Sequence, residues 1–133
     1  MSADQTILIV GENGERVAVG RVSANTSEGW FNTEVEVQCD GWRGKFAASF
    51  LQGELSALAR KLRILHEKLQ GEATLVPLEP NLELSFIGDG KGHIEVNGTA
   101  RNQFHTGTEL SFRLDLDQTF LPGIIKGLED IDP

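Results

Sequence analysis

Cysteine is almost absent. Cys39 stands alone in 133 residues, so no intrachain disulfide staples the fold. A lone thiol without a partner fits a reducing compartment. Long apolar runs are missing too, and Ile7-Leu8-Ile9-Val10 is far too short to span a bilayer. The opening Met1-Ser2-Ala3-Asp4-Gln5-Thr6 has neither the basic nor the apolar region of a secretion signal, which makes a cytoplasmic protein the expectation. Basic residues are scarce. Twelve Lys and Arg face twenty Asp and Glu, a net charge of −8. That deficit argues against direct nucleic-acid binding, which needs cations for phosphate, and against a polybasic membrane anchor. What remains is the make-up of a soluble globular chain, 39% hydrophobic and 24% charged, of a length that suits a single domain over residues 1–133.

Two periods organise the chain. Residues 5–10 and 16–22 are rich in β-branched side chains and flank the turn signal Gly11-Glu12-Asn13-Gly14, which predicts a hairpin. From 30 to 40 the pattern alternates strictly, with Phe31, Thr33, Val35, Val37 and Cys39 on one face, as in a half-buried strand. Gly44, Phe46, Ala48 and Phe50 continue the inward face of a partner strand after Asp40-Gly41. The period then changes. Leu55, Leu58, Ala59, Leu62, Leu65 and Leu69 stand at helical spacing, with Gly71 as the expected stop. Strands resume at 73–78, where Pro77 signals an edge or a break. Leu82/Leu84/Phe86, then Ile94/Val96, then Leu110/Phe112/Leu114/Leu116 supply three more inward faces. A second helix uses Leu121, Ile124, Ile125 and Leu128. Pro122 must sit in its first turn, so the helix starts near 117–121. Strands, helix, strands, helix make an α+β fold with antiparallel sheets and two helices.

The two strand–helix joints echo each other at a spacing of 66 residues. Gly41, Phe46, Gln52, Leu55 and Leu62 meet Gly107, Phe112, Gln118, Leu121 and Leu128. This predicts a duplicated β-meander-plus-helix unit. Any amphipathic strand running into an amphipathic helix produces some of the same matches.

Little in the chain points to catalysis. Gly88-Asp89-Gly90-Lys91-Gly92-His93 has the look of a phosphate loop, but a strand pattern follows it where a helix is needed. Asp89-Gly90 between alternating runs reads as a hairpin turn. His66, His93 and His105 show no metal-ligand spacing. Cys39 shares its face with Val35 and Val37 and reads as a small hydrophobe. Asp117 precedes a helix start and reads as a cap. No nucleophile elbow or catalytic triad order is present. An enzyme would have to gather His93, His105 and nearby carboxylates in one cleft.

The outward faces of the strands are acidic. Glu34 and Glu36 lie on one, and Glu95, Glu109 and Asp115 on others, while Arg60, Lys61, Arg63 and Lys68 make the first helix locally basic. Ordinary solubility charge produces the same pattern. An acidic face also complements a basic partner. Trp30, Phe31, Trp42 and Phe104 stand at strand ends or in loops, and any left exposed is a candidate interface anchor.

One set of residues resembles a known family. Trp30-Phe31, Glu34-Val35-Glu36-Val37, Gly44-Lys45-Phe46-Ala47-Ala48 and Glu54-Leu55 with Leu69-Gln70-Gly71 carry the likeness, followed by Gly88-Asp89-Gly90-Lys91-Gly92-His93-Ile94. Its sharpest stretch is Leu110-Ser111-Phe112 with Asp117-Gln118-Thr119-Phe120-Leu121. In their order and spacing these resemble the WapI-type immunity proteins of bacterial contact-dependent and polymorphic toxin systems. The resemblance implies a small cytoplasmic, non-enzymatic protein that binds and neutralises a cognate toxin domain. It brings no catalytic residue, cofactor or metal. The partner-binding residues expected on this reading are Glu34, Glu36, Glu95, Glu109, Asp115, Trp30 and Phe104, with the oligomeric state left open. The rival reading is a small adaptor or assembly protein with another partner.

Overall fold

The computed structural model describes residues 6–22 and 28–133. Met1–Gln5, which the leader and hairpin readings drew on, lie outside the described residues. Eight strands and two helices follow in order: β1 (Thr6–Val10), β2 (Arg16–Arg21), β3 (Trp30–Cys39), β4 (Trp42–Leu51), α1 (Glu54–Lys68), β5 (Gln70–Leu75), β6 (Leu82–Asp89), β7 (His93–Ala100), β8 (Leu110–Asp117) and α2 (Leu121–Ile131). The strands form two four-stranded sheets, β1-β2-β3-β4 and β5-β6-β7-β8, antiparallel throughout. Each half of the chain is thus a four-stranded meander followed by a helix, as the echo predicted.

The turns are where short-range chemistry decides the backbone. Asp40 and Gly41 both adopt positive φ, 54° and 86°, as a two-residue hairpin requires. At the β6–β7 turn the Asp89 carboxylate accepts the backbone N–H of Lys91 at 2.7 Å and of His93 at 3.1 Å. The Lys91 bond above all holds the Asp89 carboxyl below its ordinary range. A strand follows, so this segment is a hairpin and not a phosphate loop.

Two expected boundaries move. α1 stops at Lys68 because Leu69, two residues before Gly71, takes the left-handed helical conformation, φ 61°, and its N–H bonds the Leu65 carbonyl. The chain leaves that turn directly into β5, which therefore begins at Gln70 and ends at Leu75, short of Pro77. β5 is an edge strand, as Pro77 signalled. α2 begins at Leu121 with Pro122 in its first turn, after a short 3-10 turn over Gln118–Phe120.

The two helices bury identical positions at the 66-residue spacing. Leu55, Leu58, Ala59, Leu62 and Leu65 of α1 match Leu121, Ile124, Ile125, Leu128 and Ile131 of α2, all of them buried. Docking is reciprocal. α1, which follows the first sheet, packs along β5 of the second, and α2, which follows the second, packs on β1 of the first. The helices also pack on each other. Buried residues of both sheets and both helices form one core cluster. A fully buried leucine contributes about 1.5–3 kcal/mol, so these helical stripes carry much of the cohesion between the halves.

Polar clamps reinforce the exchange. Gly53, which precedes α1, has no side chain to cap it. The cap comes from Asp132, just past α2, which is 1% exposed. Its carboxylate accepts the N–H groups of Gly53 at 2.8 Å, Leu55 at 3.0 Å and Ser56 at 3.1 Å. Those donors open a helix and have no partner within it. Arg21 of β2 donates to the Ile131 carbonyl at 2.6 Å and lies 4.8 Å from the centre of the Phe31 ring.

Candidate partner-binding site

Five of the seven residues expected to meet a partner fall on two outward sheet faces, and Phe104 and Glu109 lie in the loop between β7 and β8. On the first, Glu34 and Glu36 project from β3 with Trp30 half-buried at its start. Glu36 pairs with Arg43 at 3.3 Å and Glu34 with Lys45 at 3.7 Å, both across the β3–β4 ladder. On the second face, β7 sets Glu95 directly opposite Asp115 of β8. Two like charges in that register repel. Arg113 resolves the repulsion, reaching Asp115 at 3.0 Å and Glu95 at 3.4 Å. The Arg113 bond, with help from His93 at 2.9 Å, holds the Asp115 carboxyl below its ordinary range. Nearby, Arg101 joins Glu83 and Glu109, each at 3.0 Å. All five expected carboxylates therefore have a basic neighbour, and each sheet face is a lattice of solvent-exposed ion pairs. Such pairs add little stability.

The histidines do not converge. His93 opens β7, whereas His105 lies in the loop beyond its other end, edge-on to Phe104 at 5.7 Å. Phe104 is 38% exposed. Among the described residues no three His, Cys, Asp or Glu side chains gather as a metal site. Asp117 accepts the N–H of Thr119 at 2.9 Å, the capping role expected of it. Cys39 is buried, and burial foremost pushes its thiol pKa up, so it is the inert hydrophobe its neighbours foretold.

The exposed aromatic that stands out is Trp42, 67% exposed, which the expected binding set omits. Its even position matches the buried Phe46, Ala48 and Phe50, so alternation alone places it inward. Cys39, directly opposite it at the hairpin end, is buried, yet Trp42 itself stands in solvent. A cleft of about 880 Å³ opens there. The β1–β2 turn (13–15), the β3–β4 end (38–43) and the start of β8 (110–113) wall it. The signal in the sequence was a tryptophan beside a tight Asp-Gly turn, where a strand tip escapes its own core.

A family model for WapI-like immunity proteins matches residues 9–131. The chain belongs to that family. The match reaches back through the first hairpin, well before Trp30, where the likeness read from the sequence began. It also spans both halves of this WapI-like chain. A search of curated proteins gave no match. Membership in an immunity family points to toxin neutralisation and to a protein partner. No described helix is long and apolar enough to cross a membrane.

Proposed function

We propose that this WapI-like protein neutralises a cognate bacterial toxin domain in the cytoplasm by direct, non-catalytic protein–protein binding. The observation that carries the reading is the family match across residues 9–131. The distribution of charge supports it. The outward carboxylates Glu34, Glu36, Glu95, Glu109 and Asp115 sit beside bases at short range. A partner approaching from a distance meets the net charge of −8. That field steers a basic toxin surface into encounter, and ions screen it within about 8 Å at physiological strength. Trp30 and Phe104 offer apolar contacts beside the charged lattices.

The test mixes the purified protein with the toxin domain encoded in its own locus. A complex should form, and toxin activity should fall in proportion to complex. Glu95→Lys with Glu109→Lys should slow association, most at low salt, and change dissociation less. A toxin that stays active beside an excess of this protein, with no complex formed, would favour the adaptor reading instead.

A further inference from the structure

The cleft beside Trp42 has an unusual wall. β8 is an edge strand, and only part of its outer edge is used. The Asp115 carbonyl accepts the N–H of Glu12 at 2.9 Å, so position 115 turns its backbone groups away from β7. The two-residue period of a strand puts the N–H and C=O groups of Arg113 and Ser111 on the same outer edge. Among the described residues nothing pairs with them, and both residues line the cleft. An unpaired stretch of edge strand is a template for an added strand.

The charge of the cleft selects what could be added. Its two arginines are already engaged, Arg43 by Glu36 and Arg113 by Asp115 and Glu95. Glu15 and Asp40 also line it, and no basic side chain among the described residues lies within ion-pair reach of either. After burial, these two carboxylates help to raise the pKa of the Cys39 thiol, which lines the same cleft. Trp42 supplies a large apolar surface at the same place. Tryptophan is enriched among the residues that anchor interfaces.

We infer that this cleft takes an extended, basic segment of the partner protein, added as a strand to the free edge of β8 at Ser111–Arg113 and covered by Trp42. The inference rests on the toxin-binding reading for the identity of that partner. The backbone edge would give affinity, and Glu15 and Asp40 would select lysine or arginine side chains in the segment.

The experiment titrates the isotope-labelled full chain with two probes, the toxin domain of its locus and a peptide of five Lys-Val repeats. A peptide of five Glu-Val repeats is the control. Amide shifts should centre on Ser111 and Arg113, Trp42 fluorescence should change, and the acidic peptide should do neither. Ser111→Pro removes an outward N–H and leaves the ladder to β7 intact. It should weaken binding roughly tenfold or more, as should Trp42→Ala. Asp40→Asn keeps a residue that tolerates positive φ and should weaken it roughly threefold. Toxin binding that bypasses the cleft, with these variants unaffected, overturns the inference and leaves the proposed function standing. A basic peptide seated in the cleft beside a toxin that does not bind sinks the proposed function and keeps the cleft. Equal binding of the acidic peptide, or silence from both probes, overturns the inference.

Discussion

The two halves of the chain use one pattern and finish it differently. Both send a meander into a helix whose five buried positions coincide at the 66-residue spacing. Their helix starts are unlike. α2 is prepared by its own neighbour, since Asp117 caps the short turn that leads into it. α1 begins after a bare glycine and takes its cap from Asp132, 79 residues from Gly53. The cores differ in the same spirit. Phe46 faces Val35 in the first sheet, and the equivalent Phe112 faces Gly98 in the second. A Cβ on Gly98 would clash with the Phe112 ring at its Cζ. The helical stripe stays apolar and buried at every matched position, although Ala59 stands opposite Ile125 in the comparison. The cross-strand pairs need only satisfy their own sheet, whereas the cap of α1 is borrowed from the other half.

Cutting the shared stripe should have the largest effect. Leu62→Ala and Leu128→Ala each remove a buried leucine and should cost about 3 kcal/mol. Equal losses in denaturant unfolding would confirm that the two positions are counterparts, whereas a gap above about 1.5 kcal/mol would separate them. Next come the caps. Asp132→Ala strands the opening N–H groups of α1 in a buried site and should cost about 3 kcal/mol. Asp117→Ala loses one exposed bond and should cost about 1 kcal/mol. If the two variants melt alike, the distant cap is no stronger than the local one. Gly98→Val, which copies the first half's residue into the second, should cost about 2 kcal/mol through overpacking. Adding Phe112→Leu should recover part of that loss in a double-mutant cycle.

The smallest effect is titration. Asp89 and Asp115 both have lowered pKa values in the folded chain. The stability they contribute is present above the unfolded carboxylate value of about 3.9 and fades as pH falls through their folded values. Melting curves of the wild-type chain and of Asp115→Asn should therefore differ at pH 6 and converge in strong acid. A difference that widens on acidification would reverse the sign of this argument.

The sequence made periodic features legible and distant ones invisible. Inward faces, both helices, the Asp89 turn and the repeat follow from spacing alone, because each depends on neighbours within a few residues. The Asp132 clamp depends on two helix ends meeting in space, and no local pattern announces that. Leu69 stops α1 where glycine is the usual choice, because the next strand starts at once and fixes the turn. Glu34, Glu36 and Glu95 read as a bare acidic face because their bases, Lys45, Arg43 and Arg113, come from neighbouring strands, and register sets that pairing. Trp42 alternates with core residues yet is exposed at the hairpin end, where alternation alone does not decide burial.

The clamp also sets an order of events at the ribosome. Synthesis runs at about 5–20 residues per second, so the 79 residues between Gly53 and Asp132 separate their emergence by about 4–16 s. For that interval α1 exists without its cap, and β1 waits without the helix that covers it. The nascent chain cannot lock its first half early. Completion of the first half therefore waits until Asp132 has emerged. A truncated product lacking only the last turn of α2 would lose the finishing contacts of both halves at once, which gives quality-control proteases a simple difference between finished and unfinished copies.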